Sequence, residues 1–220
     1  MKKAGKPSCV VIGGGGHASV IIDTLKVTGV ARLHGILDRN SAVWGSDVLG
    51  VPILGDDELL VELADAGVEY FVIGLGSTGD NLPRKRLYEL AVACRLKPFT
   101  VLHPTAFVSK RAKVGDGAQL CPGSIVNTQA ALGVNVIVNT GAIVEHGCIL
   151  GDHVHVATGA RLASTVTVDT CAHIGAGATV KQCVSIGKGA VVGAGAAVVR
   201  DVPPFQVVVG VPAKRLQATE

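Results

Sequence analysis

Aromatic side chains are scarce in this sequence: one Trp, two Tyr and four Phe make up 3% of 220 residues. An interior anchored by large rings is thereby excluded, because such rings supply much of the buried area of an ordinary globular core. Long apolar runs are missing as well. No stretch approaches the ~20 uninterrupted apolar residues of a membrane span, so no membrane partner is expected. Charge of one sign is not in excess: Lys and Arg number 20 against 17 Asp and Glu, a net +3 without basic blocks. Neither a duplex-binding stripe nor a polybasic anchor is present, so nucleic acid is not an expected partner. The six cysteines (Cys9, Cys94, Cys121, Cys148, Cys171 and Cys183) have no C-x-x-C spacing and sit among apolar neighbours. They read as reduced core thiols in a reducing compartment, with no structural zinc. The start, MKKAGKPSCVVIGGGG, carries an apolar run shorter than the ~7–15 residues of a signal segment, and the expected location is cytoplasmic.

What is present is small. Hydrophobic residues reach 48% and glycine occurs 29 times, so a core of Val, Ile, Leu and Ala must be built in narrow, repetitive packing. Counting in sixes from Leu102 to Val198 meets Leu, Val or Ile every time, seventeen positions in one frame. Four residues after each lies a second series, Ala106 through Val202, of small residues only. Helical and alternating patterns have periods of 3.6 and 2, so neither explains a period of six. A parallel β-helix does: the large aliphatic fills a prism, the small residue lies at a corner, and three hexads complete a coil. Glycine follows the aliphatic at Gly115, Gly133, Gly151, Gly175, Gly187 and Gly193.

Before the repeat, Cys9–Ile12 reads as a strand, GGGGH as a turn, and Ala18–Leu25 as a helix stopped by Gly29. Gly13, Gly15 and Ala18 fit G-x-G-x-x-A, in which glycines admit a phosphate to a helix N-terminus. Asp38 ends the next apolar run roughly 20 residues after the turn, where an acid reaches a ribose or base. A helix over Asp57–Ala66, a strand over Tyr70–Leu75, a helix over Pro83–Arg95 and a strand near Phe99–Leu102 complete the reading. The expected fold class is an α/β Rossmann-like domain, residues 1–101, followed by a β-helix domain with a C-terminal tail, residues 102–220.

The hexad pattern resembles the left-handed β-helix of hexapeptide-repeat acyltransferases, whose hand is an exception to the right-handed crossover rule. The order of GGGGH, LD, VPILGDD, a glycine-ended strand, repeats containing EHGC and a terminal GVPAKRL resembles the bacterial nucleotide-sugar N-acetyltransferases and their sialic acid O-acyltransferase relatives. That resemblance spans essentially the whole chain. It implies acetyl-CoA as donor, the 4-amino group of a UDP- or GDP-linked deoxyamino sugar as acceptor, and an N-terminal domain that holds the nucleotide. It also implies a homotrimer with the acyl donor in clefts between prisms, and no metal.

By the same resemblance His146 is the general base, since an ammonium must lose a proton before attacking a thioester. Family members often carry an acid just after this histidine, where this chain has Gly147, so Glu145 is the candidate to orient the imidazole. Asn139 matches an asparagine near the sugar amine. His155 matches a histidine that contacts acetyl-CoA close to the thioester; it lies half a coil from His146, so the two are expected on different sides of one prism. His173, one coil further, is read as stacking on His155. Ser164, Ala176 and Ala194 match CoA contacts made through backbone groups, and Lys214 and Arg215 bring cations that suit CoA phosphates or a solvated tail. Gly15, Gly16, His17, Asp38 and Gly76 are the implied nucleotide-sugar residues.

Other classes remain as alternatives. γ-Type carbonic anhydrases share the β-helix and an HGC segment, but they need a histidine five residues before it, and position 141 is Gly141. A non-catalytic trimeric scaffold, and an NAD-dependent reductase on the N-terminal domain, are the others; the second lacks a substrate domain. Within the transferase reading, the same base serves an amine or a hydroxyl, so O-acetylation of sialic acid or another sugar stays open. The base of the nucleotide, the sugar's stereochemistry and the acyl length are not encoded in these motifs.

Overall fold

A computed structural model describes residues 5–216. The chain forms two compact units. The first comprises the chain to Gly76 together with Arg86–Val101, and the second comprises Ser77–Lys85 together with the chain from Leu102. A division at residue 101 alone therefore misses nine residues, Ser77–Lys85, whose polar side chains bond to the coils of the repeat.

In the first unit, β1 (Ser8–Ile12) is followed by α1 (Gly16–Thr28) and β2 (Arg32–Leu37). Then come β3 (Asp47–Val48), β4 (Val51–Gly55), α2 (Leu60–Asp65), β5 (Tyr70–Ile73), α3 (Leu82–Ala93), whose first four residues belong to the second unit, and β6 (Lys97–Pro98). The sheet order is β3-β4-β2-β1-β5-β6, parallel except at the β3–β4 edge. All five residues of β1 are buried. Val10 and Ile12 pack with Phe71 and Leu60, while Val11 packs with Ala18 and Ile22 on the opposite face. That is the strand alternation of a central strand covered on both sides. Gly29 ends α1 as expected, in the left-handed conformation (φ 60°), its N–H donating to Leu25 O. The strand expected near Phe99–Leu102 lies earlier, at Lys97–Pro98, and the hexads take over at Leu102.

The second unit is a left-handed parallel β-helix. Two-residue strands recur every six residues in three sheets. The first face runs from Val101–Leu102 to Val191–Val192, the second from Phe107–Val108 to Ala197–Val198, and the third from Lys113–Val114 to Ser185–Ile186. Each strand pairs with the one a coil away, as in Gln119↔Ile137, Ile137↔His155 and His155↔His173. The second residue of each strand points inward, so Val138, Val156, Leu162, Ile174 and Val180 are fully buried in one continuous core. Glycine after the aliphatic is a packing requirement: a Cβ on Gly115 would lie 2.5 Å from the Gly133 carbonyl of the next coil.

The frame does not run unbroken to Val202. Ile186 bridges Val202 and Val191 pairs with Val207, sixteen residues along instead of eighteen. In an unbroken frame Pro204 would fill the interior; Val202, at 5% exposure, takes that place instead. The chain closes on Val207–Val209 paired antiparallel with Lys214–Arg215. Among the described residues no helix is long and apolar enough to cross a membrane.

Candidate functional site

In the first unit, β1 lies between β2 and β5, where the strand order reverses. Crevices at the carboxyl ends of strands beside such a reversal are where open α/β sheets bind ligands. The turn Gly13–Gly16 follows β1, Asp38 follows β2 and Gly76 follows β5, so the sheet brings the predicted nucleotide-sugar residues to one end. Gly13 adopts φ +100°, and a Cβ there would lie 3.1 Å from Leu75 N. Gly15 and Gly16 face open space. The first turn of α1 has neither a side-chain cap nor an acidic residue, so the positive end of its dipole suits an anion. Asp38 accepts the Gly14 N–H at 2.7 Å and the Asn40 N–H at 2.8 Å. Its carboxylate thus holds the glycine turn in shape. His17 packs near Gly76, 3.4 Å from where a Cβ would stand.

In the second unit, the corner after the second face carries His146. Its imidazole is exposed, and no hydrogen bond reaches the ring from the described residues. Glu145 Oε2 accepts from Asn127 Nδ2 at 2.9 Å and from the His146 backbone N–H at 3.2 Å. Glu145 therefore fixes the backbone of His146, not its ring. Gly147 sits at φ +69°, with a Cβ only 3.0 Å from Thr165 Cγ2, a position where a side chain costs strain.

The corners differ in one respect that bears on ligand binding. The residue after the aliphatic caps the next backbone N–H where its side chain permits. Asn127 caps Thr128 (2.7 Å), Asn139 caps Thr140 (2.8 Å) and Asp169 caps Thr170 (2.6 Å). Ala163, Gly175 and Gly193 have no side chain that can do this, and the N–H groups of Ser164, Ala176 and Ala194 have no partner among the described residues, a state they share with Asp116, Asp152, Thr158 and Lys188. These are the three backbone donors expected for CoA. Ser164 and His146 lie on one edge of the prism, whereas Ala176 and Ala194 lie on another. Lys214 is exposed in the closing hairpin.

His155 and His173 lie on the first face, away from His146. Both are buried, at 4% and 5% exposure, and their rings meet edge to face at 4.9 Å. Burial pushes the His173 imidazole down to about 4, with the Arg84 cation adding to the shift. Asn139 Nδ2 lies 3.2 Å from His155 Nε2, so the structure joins two of the expected site residues. Ser77 Oγ lies 2.9 Å from His155 Nδ1, and Asn81 Nδ2 donates to the Ala172 carbonyl at 2.9 Å. Arg84 is completely buried; Nη2 donates to Asn135 O (3.0 Å) and Oδ1 (2.9 Å), while Nε and Nη1 have no partner among the described residues. Desolvation pushes this guanidinium down to about 9. Sequence reasoning missed Ser77, Asn81 and Arg84. Their partners lie 51 to 96 residues away, and no motif or period marks them.

Residues 8–91 match the PglD N-terminal domain family. The UDP-N-acetylbacillosamine N-acetyltransferase of Bacillus subtilis (strain 168) is 33% identical over 109 residues, which is 49% of this chain and 48% of that enzyme, about half its length. The acetyltransferase domain of PglB from Neisseria gonorrhoeae FA1090 is 32% identical, with a TM-score of 0.87 over 95% of this chain and 99% of that one. It has also been solved in complex with acetyl coenzyme A. PerB from Caulobacter crescentus, solved with CoA and GDP-perosamine, is 33% identical, with a TM-score of 0.80 over 97% of this chain and 99% of that one. Variants of that enzyme with one histidine replaced by alanine or asparagine have been solved with the same two ligands.

Proposed function

The chain belongs to the bacterial nucleotide-sugar N-acetyltransferase family, and from that premise we propose that it acetylates the 4-amino group of a nucleotide-linked 4-amino-4,6-dideoxy sugar with acetyl-CoA. The observation that carries the reading is His146: an exposed imidazole whose backbone is clamped by Glu145 and whose ring is left for the substrate. The sugar ammonium first releases one proton to solvent, and His146 takes a second from the amine as its nitrogen attacks the thioester carbonyl. The C–N bond forms, the C–S bond breaks, and the departing thiolate takes the proton from the imidazolium to give CoASH.

The nucleotide diphosphate is assigned to Gly15, Gly16 and His17 at the start of α1, with Asp38 and Gly76 shaping the mouth. The uncapped N–H groups of Ser164, Ala176 and Ala194 are assigned to acetyl-CoA, and Lys214 to its phosphates. Because these donors occupy two edges of a prism, the reading implies that neighbouring copies share each donor site, as a homotrimer. Its proposed location is the cytoplasm, where acetyl-CoA is supplied.

Thiol release from acetyl-CoA, measured with a panel of UDP-, GDP- and dTDP-4-amino-4,6-dideoxy sugars, tests this directly. Turnover on one sugar is expected, with His146→Ala lowering kcat by ~10²–10⁴ at unchanged thermal stability. Inert amino sugars together with retained acetyl-CoA binding would transfer the reading to O-acetylation. Binding of neither ligand would end it.

A further inference from the structure

Ser77 and Asn81 lie outside every residue assigned above, yet they terminate a chain of hydrogen bonds that begins at Asn139. The direction of that chain is determined at both ends by backbone groups that have no choice of role. At one end, the backbone N–H of Thr140 donates to Asn139 Oδ1 (2.8 Å). Asn139 therefore turns its Nδ2 toward His155, and Nε2 of His155, 3.2 Å away, must accept. At the other end, the carbonyls of Cys171 (3.2 Å) and Ala172 (2.9 Å) accept from Asn81 Nδ2. Asn81 therefore turns Oδ1 toward Ser77, and the Ser77 hydroxyl spends its single hydrogen there. Toward His155, Ser77 Oγ has only lone pairs left, so Nδ1 of His155, at 2.9 Å, must carry the hydrogen. Both derivations give the same answer from opposite ends: a neutral imidazole, protonated on Nδ1 and bare on Nε2. His173 adds a second, longer contact of 3.4 Å from its Nδ1 to the same oxygen.

We infer that Ser77 and Asn81 are positioning residues, which hold His155 in its Nδ1–H tautomer and so, together with the Thr140 N–H, keep the amide of Asn139 as a hydrogen-bond donor at the reaction site. With Oδ1 given to Thr140 and one Nδ2 hydrogen given to His155, the half-buried Asn139 keeps one amide hydrogen for the reacting groups. The same accounting removes His155 from acid–base work and from donating Nε2–H to a thioester carbonyl; it acts through Asn139. Only the effect on turnover rests on the acetyltransferase reading. The tautomer is a property of the resting protein.

Long-range ¹H–¹⁵N spectra of ¹⁵N-histidine-labelled full-length protein at pH 7, with His155 identified by the signal lost in His155→Gln, read the tautomer directly. The Nδ1–H pattern is expected; an Nε2–H pattern in the wild type overturns the inference without any variant of Ser77. Ser77→Ala removes the acceptor of Nδ1–H and, with only Asn139 then holding the ring, is expected to admit the Nε2–H tautomer as a measurable minor population. It should also lower kcat about tenfold through a misoriented Asn139, with the KM for acetyl-CoA unchanged, and Ser77→Thr should restore both. A Ser77→Ala protein that keeps the wild-type tautomer and kcat would overturn the positioning role. If the wild type shows the expected tautomer but acetylates no amino sugar, the acetyltransferase reading fails while the relay stands.

Discussion

The two units treat buried polarity in opposite ways. Among the described residues of the first, only Ser8 and Thr24 are buried polar side chains, and each is satisfied locally: Thr24 by Val20 O one turn back, Ser8 by Arg32 of the adjacent strand. The second buries Asn81, Arg84, Gln119, Ser124, Asn135, His153, His155 and His173. Its apolar core is nonetheless continuous apart from Ser124, whose buried Oγ has no partner among the described residues; Asn135, His155 and His173 meet Arg84 and Ser77 on one outer face. Stability and specificity are therefore separated in the second unit. The repeat supplies the apolar core, and a covered polar face supplies directed hydrogen bonds, which lose more by being broken than they gain by being made.

That contrast can be broken at several points. The largest effect is expected in the prism core. Leu162→Ala, at a fully buried site, should cost ~2–5 kcal/mol, with hydrogen exchange accelerated in the flanking coils and little changed in the first unit. Leu102→Ala, at a site already 48% exposed, should cost under ~0.5 kcal/mol. Equal loss of protection throughout the chain would show the units unfolding together.

Acid should act on the polar face next. The folded pKa of His173 is pushed down to about 4 by burial, while an unfolded histidine titrates near ~6.5. Between those values the unfolded chain binds the extra proton. Stability is full above ~6.5 and falls as pH drops toward ~4, by at most about 3 kcal/mol. Denaturant titrations at pH 7, 5.5 and 4 should show this slope, and His173→Gln should flatten it. An unchanged slope in the variant would place the acid sensitivity elsewhere.

In the first unit, Asp38→Ala removes the acceptor for the Gly14 and Asn40 N–H groups. The KM for the nucleotide sugar should rise about tenfold, while kcat and the KM for acetyl-CoA hold; a loss shared by both substrates would deny the unit its separate role. The smallest effect concerns the corner beside the base. Gly147→Asp places a carboxylate near His146 and should raise the acid limb of the kcat/KM profile by up to ~1 pH unit, at a backbone cost of ~1 kcal/mol for a side chain at φ +69°. An unmoved profile would show that a side chain at 147 does not reach the imidazole.

Much of the fold was legible beforehand because it is carried by spacing. The hexads place Val138, Val156 and Ile174 inside, and Gly29 stops α1, since both depend only on residues a few positions apart. The glycine turn, Asp38 and Gly76 were legible for the same reason, each marking the end of its own strand. The frame break at Val202 was not, because Val also fills corner places, as Val136, Val154 and Val166 do, and only the neighbouring Ile186 shows which of the two Val202 takes. Nor was the role of Glu145, whose choice between the ring and the backbone of His146 depends on Asn127, eighteen residues earlier.

The sequence by itself determined the coil: a period of six in aliphatic and small side chains admits one way of burying apolar area, and burial is non-directional, so the pattern suffices. Only the tertiary structure decided what the outward-pointing histidines do. Hydrogen bonds are directional and need particular partners, and the partner of His155 is Ser77, 78 residues away, so no local pattern records whether that imidazole is a base, a ligand contact or a link in a relay.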